Sequence, residues 1–460
     1  MTAVGAPPRS TTTPLGWVKT RLFPNAASGI VTVLLFPLIV YLAYRVFLFV
    51  VVNGRWEVVR RNLTLFMQGT FPRDQQWRIL VQILLLAFAV GVGTATASAA
   101  AADRAREAGI PVRRQRPMEI LRRLWPVVLL VLILLYLANT VNPWLFVLGA
   151  LAVALLGTTA RFLPTRLRHL GWLLMALSVI AGFQAVSGTT GRSWLATAIV
   201  VSIGVWLSVR LERLEPLPRL AAKTALVALA AAVVFGIYTL VAVPGVGWDR
   251  WSGLHLTLWV SALAIILSFP LGLLLALARR STLPALRALA TGYIELIRGV
   301  PLITLLFMGQ FILGFMLPAG VSLSSISRAI AAMTLFTAAY VAEIVRGGLQ
   351  ALPYGQTEAA QAVGLSPGKT MRLIILPQAL RAVIPAMVGQ FISIFKDSSL
   401  LFILAINEFL GVRSLVHAQT DFRSIAHAET LVFVALVYWA FAYSMSRESQ
   451  RLERRLRVGL

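Results

Sequence analysis

The chain has 460 residues, of which 58% are hydrophobic and 13% charged, and it contains no cysteine. Such an apolar composition excludes an ordinary soluble protein, and the lack of cysteine excludes disulfides and thiolate metal sites. The formal net charge of +25 is explained more simply by basic cytoplasmic loops than by nucleic-acid binding. The sequence therefore predicts an all-α, polytopic membrane protein.

Apolar stretches long enough to cross a bilayer recur along the whole chain, after a polar tail at residues 1–27. The first stretch, Ile30 to Val52, is too long for a signal peptide core, and no small-residue cleavage site follows it. We predict about twelve transmembrane helices. Their expected positions are residues 29–52, 78–101, 124–141, 143–160, 169–187, 194–210, 221–243, 253–278, 300–317, 326–346, 378–396 and 428–446.

Basic residues predict the orientation of these helices. The loop of residues 102–123 and the tail of residues 448–460 are rich in arginine, which is typical of the cytoplasmic side. Alternation of the spans then puts both termini and the loop around Glu358 in the cytoplasm. Residues 53–77 should lie outside, although they contain several arginines, namely Arg55, Arg60, Arg61 and Arg73. Charged and apolar residues alternate there at helical spacing, so we expect this segment to lie flat on the outer surface, unless a span has been miscounted.

Residues 28–245 form an N-terminal transmembrane extension in this interpretation. Their spans contain few charges and no motif that can be assigned. Small residues in the second span, Gly91, Gly93, Ala95 and Ala97, permit close packing between helices. We expect an extension that contacts lipid or a partner subunit and has no transport chemistry of its own.

A polar stretch rich in small residues, 353–377, lies between apolar segments in the C-terminal half. A first helix is predicted to end at Gly364, because glycine suits the left-handed turn at a helix C-terminus. Ser366 and Pro367 are suited to begin a second helix, which we expect to end before Pro377. The pattern predicts an L-shaped helix–turn–helix. Its first helix has a surface of small residues, which we expect to dock into a partner protein.

This stretch resembles the EAA loop of ABC importer permeases. The shared pattern is Glu-Ala-Ala, a glycine after three residues and Ile-x-Leu-Pro after nine more, and the principal matching residues are Glu358, Ala359, Ala360, Gly364, Leu376 and Pro377. Four further segments, 293–302, 338–349, 376–381 and 389–400, resemble the histidine/glutamine-type branch that transports polar amino acids. The resemblance implies a type I importer core of five helices in a permease domain of residues 246–447. It also matches long members of the family that have an N-terminal extension.

The resemblance implies several partners. The coupling loop, residues 353–377, would contact an ATP-binding subunit, and an extracytoplasmic amino-acid-binding protein would deliver the substrate. The chain contains one such loop, so we expect a heterodimer with a second, related permease and two copies of the ATP-binding subunit. The expected location is the inner membrane of a bacterium, in contact with lipid.

No enzymatic activity is expected of this chain. Three residues separate Gly364 from Gly368, whereas a phosphate-binding loop needs four. No catalytic residue, metal ligand or cofactor is predicted, and ATP hydrolysis is assigned to the partner subunits.

The segment 389–400 is the strongest candidate for substrate contact. Its polar residues recur at helical spacing on an otherwise apolar helix, and polar groups at membrane depth usually face a cavity or a partner. The candidate residues are Gln390, Ser393, Asp397, Ser398 and Ser399. Asp397 would accept the ammonium group of an amino acid, and the neutral Gln390 favours neutral, polar or broad specificity. Alternatively, Lys396 and Asp397 are only neighbouring opposite charges at a helix end.

Two acid–base pairs lie on the predicted inner side. Glu295 and Arg298 are three residues apart, as are Glu343 and Arg346, so each pair can meet on one helical face. We interpret these four residues, with Lys396, as groups that hold the cytoplasmic gate; direct substrate contact is the second interpretation. The segment from Asn407 and Glu408 to His427 is interpreted as gate or binding-protein surface.

Other functions remain as alternatives. An ion-coupled secondary transporter should have two matching halves with broken helices, and we find no such internal repeat. A membrane enzyme would need a catalytic motif, and neither HExxH nor GxSxG occurs. Within the importer class, another small polar solute is the alternative substrate.

Overall fold

A computed structural model describes residues 14–107, 109, 143–162, 168–187, 245–247, 250–318, 323–423 and 425–457. Within these ranges the regular structure is helical, with a single isolated parallel bridge between Gly253 and Glu408. The all-α class is therefore confirmed. The spans predicted at 124–141, 194–210 and 221–243 lie outside the described residues.

The described N-terminal part is a series of helices separated by short turns. The α-helices are α1 (Pro14–Leu22), α2 (Ala26–Phe47), α3 (Glu57–Arg61), α4 (Leu63–Gln68), α5 (Trp77–Glu107), α6 (Pro143–Gly157) and α7 (Arg168–Ser187). A π-helical turn extends α2 to Asn53, and a 3-10 turn extends α6 to Phe162. No residue of α2 is buried in the described structure, so its apolar surface is free for lipid or a partner.

The C-terminal part contains the permease-like helices. They are α8 (Gly253–Arg279), α9 (Pro284–Gly299), α10 (Leu302–Phe307), α11 (Leu313–Met316), α12 (Ser325–Gln350), α13 (Gly355–Ala362), α14 (Pro367–Thr370), α15 (Leu376–Asp397), α16 (Val412–His417) and α17 (His427–Arg457). The chain bends by 106° between α9 and the helix of α10 and α11. Pro301 lies at this bend, where it lacks an amide donor and disfavours helical geometry at Val300.

Seven helices of the described residues are long and apolar enough to cross a membrane, or eight if the bent pair is one span. All five spans predicted after residue 250 are helical in the structure. The predicted total of about twelve is not confirmed. Three of those spans are outside the described residues, the helix at 169–187 is among the shorter apolar helices, and the segment at 300–317 is a candidate span only together with α9.

The centre of the C-terminal part is the contact between α8 and α12. The side chains of Ala338, Val341 and Ala342 on α12 are completely buried. Gly272 permits the close approach, since a Cβ atom there would lie 2.6 Å from the side chain of Val341. The helix α15 packs on α12 and also contacts α8, and α17 packs on α15.

The close packing predicted for the second span is confirmed. A Cβ atom at Gly91 of α5 would lie 2.1 Å from the carbonyl oxygen of Ala154 in α6. At Gly93, a Cβ atom would lie 2.5 Å from the sulfur of Met175 in α7. Small residues on α5 therefore let two neighbouring helices approach it closely.

Residues 54–76, which we call the cap segment, contain α3 and α4 and pack onto the C-terminal part. Phe66 of α4 is completely buried, with its ring edge-on to Phe409 at 6.0 Å and to Phe433 at 5.2 Å. Val58 and Leu63 are buried in the same cluster. The expectation of an apolar face laid on a membrane surface is therefore wrong, because that face is occupied by the protein's own core.

Candidate functional site

The coupling loop turns sharply at Gly364, which has a φ angle of +79°. The amide of Gly364 donates to the carbonyl of Gln361 at 2.8 Å, and the amide of Leu365 donates to that of Ala360 at 3.1 Å. These two bonds are the Schellman arrangement that ends a helix, and it favours glycine at the left-handed position. The predicted end of the first helix is confirmed.

We expected the second helix of the loop to end before Pro377, and this prediction is wrong. The helix continues from α14 through a π-helical turn, Met371–Ile375, directly into α15. Pro377 is the second residue of α15, just after the π-helical turn, so the irregular hydrogen bonding of the chain coincides with the residue that has no amide hydrogen. The second arm of the coupling loop and the spanning helix α15 are therefore one continuous helical element.

The residues of the EAA pattern differ in their exposure. Ala360 is 5% exposed and packs inside the L, and Leu376 is half-buried, whereas Glu358, Ala359, Gly364 and Pro377 are exposed. Beside them, Val363 is 76% exposed. The exposed surface of the loop therefore consists largely of small side chains and is partly apolar, which suits contact with another protein.

A side-chain hydrogen bond links the two arms of the loop. The amide nitrogen of Gln378 donates to Oε1 of Gln356 at 3.2 Å and to the carbonyl oxygen of Ile374 at 3.0 Å. Since Gln356 belongs to α13 and Gln378 to α15, this bond connects the first arm to the spanning helix.

Glu343 of α12 binds arginines from three helices. Its carboxylate contacts Arg279 of α8, lies 3.4 Å from Arg298 of α9 and 2.8 Å from Arg346 of α12. The Glu343 side chain is only 14% exposed. This carboxylate therefore joins α8, α9 and α12 at one end of the helix bundle.

The predicted pairs are partly rearranged in the described residues. Glu343 and Arg346 meet as expected, but Glu295 pairs with Arg279 at 3.3 Å rather than with Arg298. The guanidinium of Arg298 instead reaches Glu343 and lies over the Tyr340 ring at 5.5 Å. Sequence reasoning missed Arg279 as a member of this cluster, because its partners are distant along the chain.

The predicted substrate residues divide between two environments. The hydroxyl of Ser393 donates to Asp397 at 3.4 Å, so these two share a face of α15, and Gln390 and Ser399 are half-buried. Ser398 instead is completely buried and donates to the carbonyl of Phe395 at 2.6 Å. Lys396 is exposed.

Comparison with known proteins identifies the family. Residues 268–458 match the family described as "Binding-protein-dependent transport system inner membrane component". The chain is 38% identical over 205 residues to the probable glutamine ABC transporter permease protein GlnP of Bacillus subtilis, covering 45% of this chain and 92% of that relative. The chain belongs to the family of amino-acid ABC importer permeases.

Two relatives that are longer than GlnP are also similar to the permease. The inner membrane amino-acid ABC transporter permease protein YhdY of Escherichia coli K12 is 47% identical over 211 residues. The aligned part covers 46% of this chain and 57% of YhdY. The glutamate/glutamine/aspartate/asparagine transport system permease protein BztC of Rhodobacter capsulatus is 39% identical over 305 residues, 62% of this chain and 65% of its own. The permease thus spans less than two thirds of the length of either. The second match is longer than residues 246–460, so the similarity extends into the N-terminal extension.

An open groove of about 720 Å³ runs between α8 and α15 of the permease. Ile265 and Phe269 line one side, and Met387 and Phe391 line the other. Of the residues that line the groove, Arg381 is the charged one. Gln390 and Asp397 are not among them. The groove therefore suits an apolar neighbour better than the two charges of a free amino acid.

Glu408 lies in the loop between α15 and α17 and is completely buried. Its carboxylate accepts hydrogen bonds from the amides of Leu410 at 2.9 Å and Gly411 at 2.7 Å, and from the Tyr438 hydroxyl at 2.9 Å. Burial raises the pKa of Glu408 to about 7, although these donors act in the opposite direction. The Glu408 side chain is inside the protein, so it does not itself form part of a binding-protein surface; the gate interpretation of this segment stays a prediction.

His417 and His427 stack beside this loop, with ring centroids 3.9 Å apart. Burial lowers the pKa of His417, and the neighbouring His427 and Arg413 lower it further. Among the described residues, no group of three or more His, Cys, Asp or Glu side chains is placed to hold a metal ion.

Proposed function

We propose that the permease is the transmembrane subunit of an ATP-driven, binding-protein-dependent importer of polar amino acids in a bacterial inner membrane. It would form the translocation path with a second, related permease. Two ATP-binding subunits would each contact one coupling loop, and a soluble binding protein would deliver substrate on the opposite side. Both termini and the coupling loop would then be cytoplasmic.

The observation that carries this proposal is the exposed coupling loop. Tyr354 is 73% exposed and Val363 is 76% exposed, on a polar segment at the end of the helix bundle where basic residues indicate cytoplasm. A cytoplasmic protein surface that exposes apolar side chains beside Glu358 and Gly364 is typical of a docking site. The ATP-binding subunit of the importer family is the partner that this surface fits.

The continuous helix supplies a route for coupling. The 22 residues of α15 extend about 33 Å, from the arm that contacts Gln356 to Asp397 at the far end. If ATP binding draws the two coupling loops together, α15 tilts with them and the environment of Asp397 changes. The Glu343 cluster would stabilise one of the two states, because its charges are contributed by three helices.

We propose polar amino acids as the substrate. Asp397 would accept the ammonium group, and Gln390, Ser393 and Ser399 would contribute further polar contacts. The named substrates of BztC, which include glutamine and asparagine, support a neutral or broad range. Ser398 would act indirectly, since its hydroxyl is engaged by the backbone inside the protein.

The domain boundaries follow from this assignment. Residues 246–447 would form the permease domain, residues 28–245 the N-terminal extension, and residues 1–27 and 448–460 the cytoplasmic tails. The cap segment belongs in sequence to the extension, yet it packs into the core of the permease domain. It is therefore an integral part of that domain.

Uptake by the reconstituted complex tests the proposal. The permease, its second permease, the ATP-binding subunit and the binding protein would be placed in proteoliposomes with ATP inside. We expect uptake of labelled glutamine that requires ATP and is competed by other polar amino acids. Uptake driven by an ion gradient without ATP would instead favour a secondary transporter, and competition by unrelated polar solutes alone would replace the proposed substrate.

A further inference from the structure

The cap segment exposes basic side chains on the side where arginine is least expected. Arg55, Arg60 and Arg73 are exposed, and in the proposed orientation they are on the extracytoplasmic side of the membrane. Loops on that side of a bacterial inner membrane usually contain few basic residues. These arginines therefore require an explanation that orientation alone does not give.

Most of this charge is not neutralised within the chain. Arg61 pairs with Glu57 at 2.7 Å. For Arg55, Arg60 and Arg73, no carboxylate of the described residues lies within ion-pair distance of the guanidinium. The cap segment contains four arginines and two acids, Glu57 and Asp74, so its exposed surface has a net positive charge that is available to a negatively charged partner.

Hydrogen bonds hold the cap segment in place on the permease. The amide of Arg55 donates to the carboxylate of Glu429 at 2.8 Å, and the side chain of Gln419 donates to that of Asn62 at 2.7 Å. The amide of Thr70 donates to the hydroxyl of Ser252 at 2.7 Å. Together with the buried ring of Phe66, these bonds give the arginines a defined position over α8 and α17.

We propose that the cap segment is a docking surface for an acidic face of the extracytoplasmic binding protein. This inference rests on the proposed function. An anionic lipid surface is the less suitable occupant, because the apolar face that would enter the membrane is buried against Phe409 and Phe433. Unpaired arginines at a rigid site increase the rate of encounter with an acidic protein and make it sensitive to salt.

The test is a titration of the complete importer in nanodiscs, prepared once with and once without anionic lipid. ATPase activity would be measured against increasing concentrations of the purified, substrate-loaded binding protein, at low and at physiological salt. The variant is Arg60→Glu with Arg73→Glu, and the matched control is Arg60→Lys with Arg73→Lys, which keeps the charge.

We expect the glutamate variant to need roughly tenfold more binding protein for half-maximal stimulation at low salt. Its maximal activity should be unchanged, its salt dependence weaker, and the lysine control should behave as the wild type. Equal half-maximal concentrations in all three proteins would overturn the docking role. A shift caused by removing anionic lipid instead of by charge reversal would overturn it in favour of a lipid surface. If the wild type itself were not stimulated by any binding protein, the proposed function would fail, and the docking role with it.

Discussion

Nη1 of Arg298 lies 3.4 Å from Oε2 of Glu343, which ties the helix before the Pro301 bend to the long helix α12. Arg279 and Arg346 contact the same carboxylate. The arrangement places three positive charges around a single acid. Such a cluster is stable only while Glu343 stays ionised and the three helices stay together.

Replacing Glu343 by Gln should loosen this end of the bundle. The three arginines would lose the charge that holds them, at a cost of about 3 kcal/mol for a mostly buried partner. We expect a lower melting temperature and a higher basal ATPase activity in the assembled importer, so that the binding protein stimulates it less. Glu295→Gln is the matched control, because Glu295 is 65% exposed and its ion pair should contribute at most about 1 kcal/mol. Equal effects of the two variants would contradict a central role for Glu343.

Substitutions at Gly364 should separate backbone strain from contact with the ATP-binding subunit. A Cβ atom at Gly364 meets nothing within 4 Å in the permease, but the φ angle of +79° is unfavourable for any other residue. Gly364→Ala should therefore destabilise the loop by about 1 kcal/mol, and Gly364→Asp should also abolish ATPase stimulation by placing a charge in the contact.

The control for these variants is Gly368→Ala. Gly368 also has open space around its Cβ position but lies in α14, so alanine should be tolerated there. The readouts are assembly with the ATP-binding subunit and ATPase stimulation by loaded binding protein. Unchanged stimulation in Gly364→Asp would refute the coupling role of the loop.

Local rules explain why the coupling loop could be predicted. A glycine after α13 and a serine–proline pair at the start of α14 act within a few residues. The structure has Gly364 and Pro367 at the predicted positions, and Ser366 is the N-cap residue although its side chain makes no capping hydrogen bond. The continuation past Pro377 was missed because a π-helical turn has no clear sequence signal. Four of the five C-terminal spans were predictable for a similar reason, since length and hydropathy decide them. The fifth, at 300–317, is a candidate span only together with α9.

Long-range contacts explain what the sequence did not reveal. Arg279 and Glu343 are 64 positions apart, so helical spacing could indicate only the Glu343–Arg346 pair. The cap segment has a pattern that fits a membrane surface and a protein core equally well. Phe409 and Phe433, more than 300 residues later, decide between them. The burial of Glu408 was missed for the same reason, because it depends on α8 and α17.

Shortening Phe66 should release the cap segment. The ring is completely buried between Phe409 and Phe433, so Phe66→Ala should cost about 3–5 kcal/mol of local stability. Hydrogen exchange of residues 54–76 would report this as faster labelling, together with easier proteolysis. The control is Phe36→Ala on α2, whose ring is 64% exposed. Unchanged exchange in Phe66→Ala would mean that the hydrogen bonds alone hold the segment.

The buried carboxyl of Glu408 should make stability depend on pH. Its pKa is raised from 4.5 to about 7 by burial, so the folded protein prefers the protonated form. The contribution of Glu408 to the free energy of unfolding is therefore greatest below pH 4.5, the pKa of this group in the unfolded chain. It is lost as the pH rises through the folded pKa of about 7, by about 3 kcal/mol in all. His417 acts in the opposite sense, since its lowered pKa destabilises the fold on acidification. The wild type alone would thus show a mixture of both effects.

Glu408→Gln isolates the contribution of the carboxyl group. Glutamine has the same shape and can still accept from the amide of Gly411, but it carries no charge at any pH. Relative to the wild type, the melting temperature of the variant should rise steadily between about pH 5 and about pH 8, while the His417 contribution cancels in the difference. Glu57→Gln, at an exposed side chain, should show no such trend. A difference between Glu408→Gln and wild type that stays constant over this range would mean that Glu408 remains ionised in the folded permease.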